Sequence, residues 1–164
     1  MNEPQVGHLS GKSGIKALQL KILDPRIGSL WPLPSYATTA SAGMDLRACI
    51  EQELTLAPGE TSMVSAGIAV YLNDANFAAV LLPRSGLGAK GLVLGNLVGL
   101  IDADYQGPIN MACWNRSSAA FTIQPGDRIA QLVVLPIARV AFQIVDDFAA
   151  TERAGGGYGH TGVR

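Results

Sequence analysis

Two aspartates stand close together at the end of an apolar stretch, where Asp102 and Asp104 precede Tyr105 and Gly107. A carboxylate beside apolar residues can act as a base toward water. Aspartate is also common at turns for purely conformational reasons. The pattern predicts a β-hairpin over residues 95–107 with a candidate base near its turn, and it does not choose between the two aspartates.

A second group of residues has the chemistry of an anion site. Within residues 83–88, Arg84 offers bidentate donors, and Ser85 and Gly86 can present backbone N–H groups in a concave turn. Taken alone, this hexapeptide favours an ordinary glycine turn with a solvated arginine. A phosphate site is predicted only if further residues converge on the same place.

Three more features have both a binding interpretation and a plainer one. Tyr105 offers a ring face suited to a sugar or base, or it packs at the turn. Gln131 is a polar residue in an apolar run, and it is either a ligand or a buried side chain paired with backbone. Residues 153–162 join Arg153 and Tyr158 to many glycines, which suits a lid or else a disordered end.

The composition limits the partners that the chain can have. Charged residues make up 15% and hydrophobic residues 48%, whereas soluble domains have about a quarter charged residues. This predicts that an oligomer buries part of the surface, the alternative being a charge-poor monomer. The net charge of −1 gives no basic field for nucleic acid. An anionic ligand must therefore be held by a few placed cations, backbone N–H groups or a metal ion.

The cysteines and the N-terminal residues predict the compartment. Cys49 and Cys113 stand alone in apolar runs, which indicates reduced core thiols in a cytoplasmic protein. Residues 1–14 are polar and lack the apolar run of a signal peptide, so we expect a mobile tail. No stretch is apolar for long enough to predict a membrane span.

Short alternating segments separated by turn residues predict an all-β sandwich or barrel with little helix. At most one helical turn is expected, after Ser85. We predict one β domain over residues 15–150, followed by a flexible glycine-rich segment at residues 151–164 that is either a lid or a disordered end. The candidate strands are residues 16–23, 44–50, 65–72, 77–82, 109–114 and 128–135.

Five segments in this order closely resemble the five motifs of the trimeric dUTPase family, in a bacterial form. They are residues 42–48, 84–86, 99–105 and 125–131 and the glycine-rich tail. The resemblance implies a distorted jelly roll, or β-clip, and a homotrimer whose three sites are each built from all three chains. It also implies hydrolysis of dUTP to dUMP and pyrophosphate, which removes dUTP and supplies dUMP for dTMP synthesis.

The same resemblance implies roles for single residues. Asp102 would orient water toward the α-phosphorus. Mg²⁺ would bind the substrate phosphates without a direct protein ligand, with Asp45 as outer-shell support. The phosphates would be held by Arg84, Ser85, Gly86, Gln131 and a neighbouring subunit's Arg153. The uracil and deoxyribose would be contacted by Asn96, Leu100, Ile101, Tyr105, Asn110 and Tyr158.

The chain departs from the family pattern in two places. Ala154 and Tyr158 stand where the family commonly has glycine and phenylalanine, and an alanine is expected to lose access to positive φ. The loop at residues 88–91 is one residue shorter than is usual in the family, which bears on local geometry rather than on chemistry.

Two other functions fit parts of the sequence. A dCTP deaminase, or its bifunctional relative, shares the implied fold, but it usually has a glutamate in the hairpin region, where this chain has Asp102 and Asp104. A β-sandwich that binds a nucleotide without turnover would need no base at Asp102. Product analysis separates these alternatives from dUTP hydrolysis.

Overall fold

The chain folds into short antiparallel strands, as its alternating pattern predicts. The computed structural model describes residues 17–151 and 154–155, and within them ten strands and one short helix follow one another. Residues 1–14, Arg153 and Tyr158 lie outside the described residues, so the predictions made for them stay predictions. The elements are β1 (Gln19–Ile22), β2 (Met44–Arg47), β3 (Leu54–Leu56), β4 (Thr61–Tyr71), β5 (Phe77–Pro83), α1 (Ser85–Ala89), β6 (Leu92–Leu94), β7 (Gly99–Ile101), β8 (Pro108–Asn115), β9 (Phe121–Ile123) and β10 (Arg128–Pro136).

The strands form two four-stranded sheets, in the orders β1-β4-β8-β6 and β2-β10-β5-β7, and a two-stranded sheet of β3 and β9. One hydrophobic cluster joins the two larger sheets, with Ile68 and Met111 from the first and Leu81 and Leu132 from the second. Burying a side chain of this size stabilises the fold by about 2 kcal/mol. The all-β class is confirmed, and so is the helical turn after Ser85.

Alternation along β10 separates the core face of the second sheet from its outward face. Leu132 is buried, whereas its neighbours Gln131 and Val133 are half-buried. On the outward face, Val133 lies opposite Val80 on β5, and Val80 lies opposite Leu100 on β7. These three residues form an outward row across the sheet. The outward face is therefore apolar as well as the inward one.

The segment from β6 to β8 is not the simple hairpin that its sequence predicts. Its arms do pair, because Leu94 lies opposite Cys113 on β8. Between the arms, β7 leaves that sheet and pairs with β5 of the other sheet. Gly99 makes this possible, since a Cβ there would lie 3.1 Å from the Cβ of Leu81. The segment crosses between the two sheets, and both aspartates follow the crossing.

The two cysteines are buried and free, as predicted. Burial raises the pKa of the Cys113 thiol to about 12. The pKa of Cys49 is also raised, first by burial and then by hydrogen bonding to Asp24. Across the described ranges, no helix has the length and apolar composition needed to cross a membrane.

Candidate functional site

Asp45 lies between two arginines at one edge of the second sheet. Arg84 Nε is 3.0 Å from Asp45 Oδ1, and Arg128 Nη1 is 3.0 Å from Asp45 Oδ2. The strands dictate this meeting, because β10 pairs with β2 on one side and with β5 on the other, and Arg84 directly follows β5. One carboxylate therefore holds two cations, and the triad keeps a net positive charge.

Arg84 is fixed by a second contact, since its Nη1 donates to the carbonyl oxygen of Arg128 at 3.0 Å. The Arg84 Nε and Asp45 Oδ1 atoms are buried, and their approach is not aligned as a hydrogen bond. Charge attraction alone holds this contact, and buried polar groups without an aligned partner are costly. Two of the three guanidinium nitrogens face protein acceptors, which leaves Nη2 for a ligand.

A cleft of about 320 Å³ opens beside Arg84. Helix α1 begins there at Ser85, and the first N–H groups of a helix have no acceptor within it. Gln131, on β10, also lines the cleft. The structure thus brings together the four residues of the described chain predicted to hold phosphates, which are Arg84, Ser85, Gly86 and Gln131.

Two basic residues of this region were not predicted as site residues. Lys90 lines the same cleft, and Arg128 shares Asp45 with Arg84. The position of Arg128 directly after a Pro-Gly-Asp turn, within the same motif as Gln131, could have indicated its role. Lys90 carries no comparable signal, because only the folding of α1 returns it to the cleft.

Asp102 lies at a different cavity, of about 430 Å³, which also has Asp104 and Arg139 on its walls. The Tyr105 N–H donates to the carbonyl oxygen of Asp102 at 3.2 Å and closes the turn. Both aspartates are exposed in the single chain. The geometry does not choose between them, so the assignment of Asp102 as base rests on the family motif.

The ring of Tyr105 is held at the same turn. Its hydroxyl donates to the carbonyl oxygen of Pro108 at 3.0 Å. The ring lies directly against Gly107, where an added Cβ would be 2.6 Å from the tyrosine Cζ. Gly107 is therefore required for this placement of the ring, which is 41% exposed and available to a ligand.

Asn96 stands in a strained turn between β6 and β7. The next residue, Leu97, has φ of 62°, a region that costs a leucine roughly 1–2 kcal/mol. The Val98 N–H donates to the Asn96 carbonyl oxygen at 2.7 Å. Strain of this kind persists where the surrounding structure imposes it, and it is common at ligand sites.

The other described residues that are predicted to contact base and sugar lie along the same segment. Leu100 is exposed on β7, Ile101 is half-buried beside it, and Asn110 is exposed on β8. The Gly95 N–H donates to the Ala112 carbonyl oxygen at 2.6 Å, which brings the two arms of the segment together near Asn110.

The two groups of predicted residues lie at opposite ends of β5. Ile101 is opposite Ala79, near the start of the strand, whereas Arg84 follows its end. At a rise of about 3.3 Å per residue, roughly 20 Å separate Asp102 from Arg84. The three phosphates of a nucleoside triphosphate span a much shorter distance. Asp102 and Arg84 of one protein chain therefore cannot both contact the same triphosphate.

The structure describes two places where the chain departs from the family pattern, Ala154 and the loop at residues 88–91. Ala154 has φ of 40°, so the expectation that alanine loses positive φ here is wrong. Its N–H donates to the Thr151 carbonyl oxygen at 3.1 Å, which holds the turn in this conformation. In the shortened loop, Gly91 has φ of 100° and packs on Ser117, where a Cβ would meet the serine Cβ at 2.5 Å.

Among the described residues, the side chains that could bind a metal ion are carboxylates rather than a preformed cluster of ligands. In the part of the chain that the structure describes, no three His, Cys, Asp or Glu side chains are grouped so that they could hold a metal. The exposed carboxylates of Asp102 and Asp104 share one cavity, and oxygen donors of this kind suit Mg²⁺ that keeps several waters.

Comparisons with known proteins agree on one family. A model of the dUTPase family matches residues 29–162. A deoxyuridine 5'-triphosphate nucleotidohydrolase of Xanthomonas campestris pv. campestris (strain B100) is 62% identical over 150 residues, covering 91% of this chain and 99% of that protein. One of Xylella fastidiosa (strain M12) is 61% identical over 153 residues, covering 93% and 99%.

Solved structures agree in fold. The dUTPase of Staphylococcus bacteriophage 80alpha with dUpNHpp has a TM-score of 0.79 and 25% identity, and the match covers 90% of this chain and 99% of that one. A mutant dUTPase from phage phi11 of S. aureus, described with a structural Mg(II) ion, has a TM-score of 0.70 and 23% identity, covering 82% and 99%.

Proposed function

The chain belongs to the dUTPase family, and we propose that it hydrolyses dUTP at sites that copies of the chain build together. The reaction yields dUMP and pyrophosphate, and it makes the protein a dUTP diphosphatase. In the proposed mechanism, water attacks the α-phosphorus and the bond to the bridging oxygen breaks, so that pyrophosphate leaves.

One observation carries the shared site. Roughly 20 Å of β5 separates Asp102 from Arg84 in the same chain. The base and the phosphate cleft must act on one triphosphate, so each site takes Asp102 from one copy and Arg84 from another. A homotrimer with closed symmetry gives three such sites without leaving an unused half.

Exposed apolar residues support the assembly. After β10, residues 137–151 carry no regular structure, and their largest apolar side chains are almost fully exposed: Phe142 at 97%, Ile144 at 95% and Phe148 at 87%. The outward row of Val133, Val80 and Leu100 adds an apolar face. Contiguous surface of this kind usually marks a protein interface.

The proposed chemistry is positioning together with charge stabilisation. Asp102 accepts a hydrogen bond from the attacking water and orients it toward the α-phosphorus. Arg84, Gln131 and the N–H groups of Ser85 and Gly86 hold the phosphates that leave. When bound, Mg²⁺ neutralises negative charge on the phosphate oxygens. Asp45 supports the site through its two arginines.

Base recognition follows from hydrogen-bond matching. Asn96, together with the backbone near Leu100 and Ile101, pairs with the uracil edge. Cytosine exchanges an acceptor for a donor at position four, and a buried mismatch of this kind discriminates strongly. The ring of Tyr105, held against Gly107, packs under the deoxyribose and excludes a 2′-hydroxyl. Asn110 completes the wall.

The residues beyond the β domain complete the proposal. Arg153 of a third copy contacts the γ-phosphate, and Tyr158 covers the uracil, so residues 151–164 act as a lid. Two buried, free cysteines support a cytoplasmic location, and the net charge of −1 supports a small anionic substrate rather than nucleic acid.

Product analysis tests the proposal. The full-length protein is incubated with dUTP, dCTP or dTTP in Mg²⁺, and pyrophosphate and ammonia are measured. We expect pyrophosphate from dUTP alone, and dUMP as the nucleotide product. Ammonia from dCTP would instead identify a deaminase, and binding of dUTP without any product would identify a nucleotide-binding protein.

The role of Asp102 needs its own variant. Asp102→Asn keeps the shape of the side chain and removes the base, so we expect unchanged dUTP binding and a loss of turnover by orders of magnitude. Asp104→Asn is the matched control, with nearly unchanged turnover. If the two effects are exchanged, the assignment of the base moves to Asp104.

A further inference from the structure

We propose that Lys90 is a further phosphate-binding residue, which contacts the two phosphates that leave as pyrophosphate. This rests on the proposed function, because it assumes that the cleft beside Arg84 holds those phosphates. Lys90 lines that cleft together with Arg84, Ser85, Gly86 and Gln131. It therefore faces the same space as the four residues to which phosphate contacts are already assigned.

The charge of the cleft depends on Lys90. Arg84 and Arg128 share the carboxylate of Asp45, which offsets part of their charge. Lys90 takes part in none of the ion pairs between described residues. Of the two basic residues that line the cleft, Arg84 is paired with a carboxylate of the described residues and Lys90 is not.

The backbone under Lys90 is held firmly, so the side chain starts from a defined position. Lys90 is the C-cap of α1, and its N–H donates to the Leu87 carbonyl oxygen at 3.0 Å. Gly91 follows with φ of 100° and accepts a hydrogen bond from the Arg116 N–H at 2.9 Å. The close contact with Ser117 fixes this turn.

The chemistry of lysine suits this position. Its ammonium is a compact charge with three donors on a flexible stem, and it can follow a phosphate group that moves as the bond to the α-phosphorus breaks. Arg84 is pinned by two protein acceptors, so it offers fixed geometry instead. Arg84 would therefore fix the position of the phosphates, and Lys90 would supply a positive charge that can follow them.

A structural role is the competing explanation. A lysine at the C-cap of a helix can interact favourably with the helix dipole and stabilise the fold without touching a ligand. That role changes thermal stability and leaves anion affinity unchanged. The two explanations therefore differ in their effect on pyrophosphate binding.

Inorganic pyrophosphate is the probe that tests the proposal. Its dissociation constant is measured by calorimetry in Mg²⁺ for the full-length protein, Lys90→Gln, Lys90→Arg and Lys21→Gln. Lys21 is an exposed lysine on β1, in the other sheet, and serves as the control. We expect Lys90→Gln to weaken pyrophosphate binding by roughly tenfold or more, as for a charge-assisted hydrogen bond, with partial rescue by Lys90→Arg.

Two further readouts separate binding from folding. dUMP lacks the leaving phosphates, so its inhibition constant should not change in Lys90→Gln. The Michaelis constant for dUTP should rise and depend less on NaCl concentration, because one cation is gone. Unchanged pyrophosphate affinity in Lys90→Gln overturns the proposal, and so does equal weakening of dUMP and pyrophosphate.

The failure of this proposal can be distinguished from the failure of the proposed function. If the unmodified protein releases no pyrophosphate from dUTP, the proposed function fails, while pyrophosphate affinity still decides whether Lys90 binds phosphate. If the unmodified protein is active and Lys90→Gln binds pyrophosphate normally, only the role of Lys90 is refuted.

Discussion

Arg84 Nε lies 3.0 Å from Asp45 Oδ1, and the two buried atoms are not aligned as a hydrogen bond. The second oxygen of Asp45 is at the same distance from Arg128 Nη1. One carboxylate thus holds two guanidinium groups, of which Arg84 lines the cleft. In the proposed site Asp45 is a positioning residue, because it would act on phosphates only through the arginines that it holds.

Asp45→Asn removes this charge while it keeps the size of the side chain. We expect kcat to fall by about tenfold or more, because a phosphate-binding arginine that moves by an ångström loses the productive geometry. Pyrophosphate affinity should change less than kcat, because both arginines keep their charge. Steady-state kinetics and calorimetry measure the two effects.

An Asp–Arg pair elsewhere in the described residues is the control for Asp45→Asn. Asp24 Oδ2 is 2.7 Å from Arg26 Nη2, outside both cavities that carry the predicted site. The Arg26 side chain holds the pKa of Asp24 well below its usual range, so Asp24→Asn should lower stability above pH 4 without changing kcat. Equal kinetics for both variants would remove Asp45 from the site.

The sequence predicted the fold class, and its family motifs named four residues that the structure places together. Residues 84–86 and Gln131 were expected to converge, and they line one cleft. Six candidate strands were correct in place, because each has several alternating or β-branched residues. The three-residue strands β3, β6 and β9 were not predicted, since a strand so short carries too little pattern.

The pairing of β7 with β5 could not be predicted from the sequence. The crossing of β7 to β5 depends on Gly99 lying against Leu81, a contact between residues far apart in the chain. The positive φ of Leu97 and Ala154 goes against the preference of both residues, so residue type alone does not predict it. The choice of Asp102 over Asp104 came from the family motif and remains a prediction.

Cys113 predicts a loss of stability at alkaline pH. Burial raises its pKa to about 12, above the ordinary value of 9.0, so only the unfolded chain loses this proton between those values. The contribution of the Cys113 thiol to the free energy of unfolding is fully present below pH 9. It is lost as pH rises toward 12, by roughly 1 kcal/mol for each pH unit. Denaturant unfolding at pH 8 and pH 10 measures this decline.

Cys113→Ala isolates the contribution of the thiol. Every other titratable group is the same in both proteins, so only the difference in slope counts. We expect a smaller decline from pH 8 to pH 10 in the variant, although its stability at pH 8 is lower because of the lost side-chain atoms. Parallel declines would mean that the thiol is not buried as described.

Gly107→Ala tests the placement of the Tyr105 ring. The added methyl group would occupy the space of the ring, at 2.6 Å from the tyrosine Cζ. We expect kcat/KM for dUTP to fall and the preference for dUTP over UTP to narrow, because the displaced ring no longer excludes the 2′-hydroxyl. Kinetics with both nucleotides give the ratio.

Tyr105→Phe is the matched variant for this test. It keeps the ring and removes only the hydrogen bond from the hydroxyl to Pro108 O. We expect the preference for dUTP over UTP to be nearly unchanged. A preference that survives Gly107→Ala would contradict the role of the ring position. A preference that is lost in Tyr105→Phe would assign the exclusion of the ribonucleotide to the hydroxyl.

Mixing two inactive variants tests whether the site is shared. Arg84→Ala removes the proposed phosphate contact and Asp102→Asn removes the proposed base, and each variant alone should be nearly inactive. If the two residues come from different chains, unfolding and refolding an equal mixture gives assemblies in which about a quarter of the sites have both groups intact. We expect activity to return to roughly that fraction.

The control for this experiment is the same mixture without exchange of subunits. Variants that are combined in the folded state should remain inactive until chains exchange, so activity should follow refolding and not mixing. A site contained in one chain would give no recovery after refolding, because every chain in the mixture lacks one of the two groups. The roughly 20 Å along β5 between Asp102 and Arg84 predicts recovery.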